Sequence, residues 1–173
     1  MLASKLFASR RSLMQMKNMN FAAMQQARCF AVTTKYTKTH EWISYDDASE
    51  VATIGITDHA QAELGDIVHV DLPEVGTEFS KYEVIVAVES VKTAADIYQM
   101  VDGEVLEINE DLADDSSIMN SDAEGKGWIM KVKLSNKDQL GELLDESAYK
   151  EILWSNIQIR SKGISKNLVK MKL

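Results

Sequence analysis

In the segment Val88-Glu89-Ser90-Val91-Lys92-Thr93-Ala94-Ala95-Asp96-Ile97, a single lysine stands between an apolar run and a returning one. A lysine offers a primary amine on a flexible four-carbon stem, which is a natural acceptor for an acyl group. Lys92 is the only Lys or Arg between Lys81 and Lys126, and it stands among Glu83, Glu89, Asp96, Asp102 and Glu104. A modifying enzyme selects an isolated lysine more easily than one of a cluster. On pattern alone, an ordinary solvated turn lysine is the commoner alternative, because exposed lysines are frequent.

The elements around this segment read mostly as short strands. Val84-Ile85-Val86-Ala87-Val88 is a continuous apolar run, which predicts a strand buried on both faces. With Ile97 and Tyr98 returning, Lys92 falls on a tight hairpin that exposes its tip on a rigid base. Further strands are predicted over 40–45, 51–56, 67–72, 104–108 and 128–134, with turns at Asp46-Asp47-Ala48-Ser49 and Asp102-Gly103. Thr57 or Asp58 can cap a short helix that Gly65 stops. Ser135-Asn136-Lys137-Asp138 resembles a capping box, and a second helical stretch is predicted from Glu146 or Ser147 to Trp154. Many short strands at this spacing predict a mainly β barrel or sandwich with small peripheral helices, one of them C-terminal.

Charge divides the chain into three parts. Before Glu41 there is no acidic residue, and after Trp154 only basic ones follow: Arg160, Lys162, Lys166, Lys170 and Lys172. Residues 31–154 hold 9 basic and all 27 acidic residues, a net of −18. A body this acidic repels nucleic acid and anionic lipid and is steered toward basic docking surfaces. Residues 1–30 mix Arg, Lys, Ser, Met, Ala and Phe, the makeup of an organellar transit peptide. Arg28-Cys29-Phe30 before Ala31 resembles a mitochondrial processing site, so cleavage near Phe30 and a matrix location are expected. The alternative is a basic arm that stays on. Residues 155–173 are expected to form a mobile basic tail. No run approaches the roughly 18 apolar residues of a membrane span, so no membrane partner is expected.

Cys29, the only cysteine, lies in the segment expected to be removed. Residues 31–154 therefore offer no disulfide, thiolate nucleophile or cysteine metal site. His59 and His69 lack a metal-ligand spacing, so no metal is expected. Any sulfur chemistry must come from a cofactor.

The hairpin segment resembles the H protein of the glycine cleavage system, whose lipoyl lysine sits in Glu-Ser-Val-Lys. The resemblance runs in family order through Lys35-Tyr36-Thr37-Lys38-Thr39-His40-Glu41-Trp42, Ile54-Gly55-Ile56-Thr57-Asp58-His59-Ala60-Gln61 and Leu64-Gly65-Asp66-Ile67-Val68. It continues through Asp71-Leu72-Pro73-Glu74-Val75-Gly76, Gly103-Glu104-Val105-Leu106-Glu107-Ile108-Asn109 and Gly127-Trp128-Ile129, and so covers roughly 35–154. Several blocks in order are far more specific than one tetrapeptide.

The resemblance implies a barrel-sandwich hybrid over 31–154 and lipoic acid in amide linkage on Lys92, flanked by Glu89, Ser90 and Val91. It implies a monomeric carrier with no catalytic residues of its own, modified by lipoylating enzymes. Such a carrier takes an aminomethyl group from the pyridoxal-phosphate P-protein, yields its methylene to the T-protein, and passes electrons to the flavoprotein L-protein. It also implies a surface cleft that shelters the loaded arm from water, for which Thr39, His40, Glu41 and Asp96 are the candidates by position. Three departures stand out: Thr93 where the family usually has Ala, no Pro-Tyr within 120–125, and a slightly longer turn at 46–49. The rival readings are a lipoyl or biotinyl carrier domain of another complex, with Met130-Lys131-Val132 superficially like a biotinyl site, and a relative that has lost its arm.

Overall fold

A computed structural model describes residues 32–156 and 158. The expected transit peptide and nearly all of the basic tail lie outside the described residues. Among the described residues, nine strands form two sheets. One has six strands, in the order β1 (Val32–Tyr36), β2 (Glu41–Asp46), β3 (Val51–Ile56), β9 (Met130–Leu134), β8 (Gly103–Ile108) and β5 (Glu78–Phe79). The other has three, in the order β4 (Ile67–Asp71), β6 (Val84–Ser90) and β7 (Ala94–Tyr98). Every strand pair is antiparallel.

The sheets share one core. Ile43, Ile54, Met130 and Val132 from the larger sheet cluster with Val70, Val86, Val88 and Ile97 from the smaller. Each fully buried aliphatic side chain contributes about 1.5–3 kcal/mol, so this seam holds the two layers together. A second cluster, of Tyr36, Trp42 and Tyr149, pins the helical stretch that starts at 146 against β1 and β2. Tyr36 and Tyr149 stack with centroids 4.7 Å apart. The Trp42 indole donates to the Ile56 carbonyl at 2.8 Å.

The mainly β sandwich with small helices is the fold class the sequence predicts. Local details differ. β6 buries Val86 and Val88 but exposes Val84 and Glu89, so the apolar run covers one face rather than two. An apolar run alone does not distinguish these cases, because Ala87 and Ile85 sit half-buried on the outer side. The cap of the late helical turn is Asn136, not Ser135: its side chain accepts from the Asp138 N–H at 2.9 Å, and the element over Lys137–Glu142 is a 3₁₀ helix. The short helices α2 (Asp111–Asp114) and α3 (Ile118–Ser121) were not predicted, since each has four residues and leaves no periodic signal. No helix among the described residues is long and apolar enough to cross a membrane.

Candidate functional site

Residues 91–93, the tip of the β6–β7 hairpin, carry Lys92 at their centre. Ser90 shapes this tip. Its hydroxyl accepts from the backbone N–H groups of Lys92 (3.2 Å) and Thr93 (3.1 Å) and donates to the Thr93 carbonyl (3.0 Å). The Ser90 N–H adds a bond to the same carbonyl at 2.8 Å. One small side chain thus closes a three-residue turn. Glu89 and Val91 are exposed beside it. We expect Ser90→Ala to cost about 1 kcal/mol, the usual worth of such bonds, and to slow acylation of Lys92; urea unfolding and a timed mass assay of the modification would check both.

The tip is also tied sideways. The Val91 N–H donates to the Asp66 carbonyl at 3.0 Å, joining the hairpin to the entry of β4. Just before it, α1 (Asp58–Leu64) begins at Thr57, whose side chain accepts from the Ala60 N–H, and ends at Gly65 with φ +81°. Lys92 lies across Gly65, and a Cβ placed there would stand 2.6 Å from the Lys92 Nζ. Asn120 on α3 holds this corner. Its amide donates to the Gly65 carbonyl (2.9 Å) and Gln61 Oε1 (3.0 Å), and its Oδ1 accepts from the Ile67 N–H (2.9 Å). The sequence marks Gly65 as a helix stop but not as the floor under the lysine. Nor does it give Asn120 any site role.

Lys92 is exposed and takes part in no ion pair among the described residues. Its amine is thus free to accept an acyl group, and the glycine floor leaves room for a longer chain. The residues present therefore fit a lipoyl amide at this position. Lys131 contrasts with it. It sits inside β9, pairs with Glu107 at 2.9 Å and lies over the Trp128 ring, so its amine is engaged within the sheet. No group of His, Cys, Asp and Glu among the described residues could hold a metal ion.

The four candidate cleft residues occupy different settings. Glu41, at the start of β2, is 3% exposed and accepts from the hydroxyls of Thr37 and Thr39, the latter at 2.6 Å. Thr39 and Glu41 are thus brought together in the β1–β2 turn. His40, at φ +75° in the same turn, has partners of its own: its Nδ1 lies 2.8 Å from the Tyr149 hydroxyl, and its ring meets that of His59 on α1 at 4.4 Å. Asp96 is on the smaller sheet, exposed, opposite Ala87 in the β6–β7 pair.

Burial, and secondarily the neighbouring His59, hold the His40 pKa below the usual histidine value. The folded state therefore binds this proton less readily than the unfolded chain. His40 should leave stability undiminished above the unfolded value of about 6.5 and erode it as pH falls below. We expect His40→Gln to flatten the acid side of a melting-temperature profile, while an unchanged profile would discount this histidine.

A family model described as Glycine cleavage H-protein matches residues 34–156. A glycine cleavage system H protein of Thermotoga maritima is 54% identical over 117 residues, covering 68% of this chain and 93% of that protein. One from Bradyrhizobium diazoefficiens is 51% identical over 118 residues, covering 68% of this chain and 95% of the relative. The crystal structure of a glycine cleavage system H protein from Mycobacterium marinum superposes with a TM-score of 0.62 at 36% identity, covering 69% of this chain and 94% of that one. With its two-sheet sandwich and exposed hairpin lysine, this chain belongs to the glycine cleavage H-protein family.

Proposed function

We propose that the chain is the lipoyl-bearing carrier of a glycine cleavage system, with lipoic acid in amide linkage on Lys92. The observation that carries this is the tip itself: a free, exposed amine on a backbone fixed from both sides, above a glycine that leaves its side chain a lane. When attached, the lipoyl group supplies the disulfide–dithiol chemistry that residues 32–156, which hold no cysteine, do not. Lys92 serves as the point of attachment, Ser90 and Asp66 keep it still, and Gly65 leaves the stem space to lie down or lift away. In this reading the carrier takes the aminomethyl group from the P-protein, delivers it to the T-protein and passes electrons to the L-protein, with lipoylating enzymes as further partners.

The test is the intact mass and modified peptide of the protein purified from its own cells. A lipoyl adduct on Lys92 supports the reading. Biotin on Lys131, or no adduct at all, overturns it. Fractionation of the same cells tests a second proposal: a matrix protein whose chain starts just after Phe30.

For the sheltering cleft we propose Glu41 and Asp96 as the carboxylates that pair with a cationic load, with Thr39 and His40 beside them. The threonine hydroxyls around Glu41 support that part, since they fix the direction of its carboxylate. Glu41→Gln should shorten the half-life of the loaded form in solution. A half-life equal to that of the unaltered protein removes Glu41 from the cleft.

A further inference from the structure

At the end of the hairpin away from Lys92 lies a cavity of about 320 Å³, bordered by the β1–β2 turn, Tyr82, Tyr98, Gln99 and Leu143. Gln99 is 1% exposed, and among the described residues neither its Nε2 nor its Oε1 has a hydrogen-bond partner. A buried amide left unpaired at both ends costs on the order of 1–3 kcal/mol for each group. Gln99 is placed there by its backbone, which bonds Glu83 and Tyr82 across the hairpin base at 2.9 and 2.7 Å. Tyr82 sits at φ +70°, a conformation that L-residues seldom adopt.

One side of the rim is aromatic and open. Tyr82 is 72% exposed and Tyr98 48%, and Val84 faces Tyr98 across the strand pair. From there the outer side of the smaller sheet runs to the tip through Asp96 and Glu89, both exposed. Lys81 is neutralised by Glu142 at 2.5 Å, which leaves Lys38 as the cation at the cavity edge. Carboxylates thus dominate the path in a body of net charge −18.

The Gln99 end of the cavity is too far away to serve the lysine's own arm, whereas Thr39, on its other border, belongs to the proposed arm cleft. Gln99 lies seven residues along the strand from Lys92, about 23 Å at the usual rise of roughly 3.3 Å per residue. It is not too far for a docked protein, because a standard interface of about 800 Å² per partner measures roughly 30 Å across. Exposed tyrosines around a desolvated pocket are the residue types that anchor such interfaces. An amide with a free donor and a free acceptor matches a peptide group, which presents the converse pair.

We propose that the outer face of the β4–β6–β7 sheet, anchored by Gln99, Tyr82 and Tyr98 at the hairpin base, docks a partner protein with a basic contact surface that seats a peptide group on Gln99. The inference rests on the carrier reading, in which other proteins must come to Lys92. It assigns them a foothold remote from the lysine itself.

The lipoylated full chain carrying Gln99→Leu or Tyr98→Ala is the substrate to vary against each of the three enzymes of the cycle. With at least one enzyme, KM rises about tenfold and kcat holds. Leu106→Ser, on the other sheet, moves neither. Gln99→Leu also raises the melting temperature of the isolated protein, because it removes an unpaired amide. Unchanged KM with all three enzymes overturns the inference. So does a lower melting temperature for Gln99→Leu, which would show the amide to be satisfied within the fold. Absence of a lipoyl adduct on the unaltered protein would instead sink the carrier reading, and the docking face with it.

Discussion

Lys92→Arg is expected to yield a folded protein that accepts no lipoyl group and supports glycine cleavage only at the level seen without any carrier. The side chain is exposed, pairs with no acid among the described residues and lies over Gly65. A surface substitution of that kind stays within about 0.5 kcal/mol. Arginine keeps the positive charge, but its guanidinium stays protonated and offers no amine for acylation. The separation of effects is what makes the variant informative. Circular dichroism and melting should match the unaltered protein while the adduct and the activity vanish together. Residual activity well above background would mean that another group carries the load.

Gly65→Ala should damage both stability and attachment. The backbone at Gly65 has φ +81° and ψ −150°, a region essentially reserved for glycine, where another residue costs about 1–3 kcal/mol. That strain is the stability term. The clash of the new Cβ with Lys92 Nζ is cheap in energy, since the far end of a lysine moves freely, but it pushes the lysine off its floor. Denaturant midpoints report the first effect, and the rate of lipoylation, measured well below the melting temperature, reports the second. A variant as stable as the parent would contradict the backbone argument. One destabilised but lipoylated at the normal rate would leave Gly65 a purely structural glycine.

Much of this was readable in the sequence, for reasons that differ by residue. Alternation fixes β3 and β9, and Thr57 and Gly65 bracket α1 because capping chemistry is local. The lysine at the hairpin tip follows from two apolar runs and their short gap. Long-range partners leave no such mark. Nothing in 118–121 says that Asn120 will hold the helix end beneath Lys92, nor does Tyr149 announce that it will meet His40 from 109 residues away. Gln99 reads as an ordinary polar residue at a strand exit. Only the assembled fold shows its amide enclosed and unpaired. Nothing in the sequence marks Glu41 as buried, yet it is 3% exposed and accepts from the hydroxyls of two threonines of the same turn.

The bonds that pin the tip, from Ser90 on one side and Asp66 on the other, bear on how often anything carried by Lys92 meets its target. A pivot on a loose loop would spread the cargo through a volume set by loop and side chain together. A fixed pivot confines it to the reach of the side chain alone. Effective concentration varies inversely with the volume sampled, so halving the radius raises it about eightfold. Stiffness at the base of a mobile arm therefore acts as a concentrating device, and the cargo stays dense around one point on the surface without being bound there.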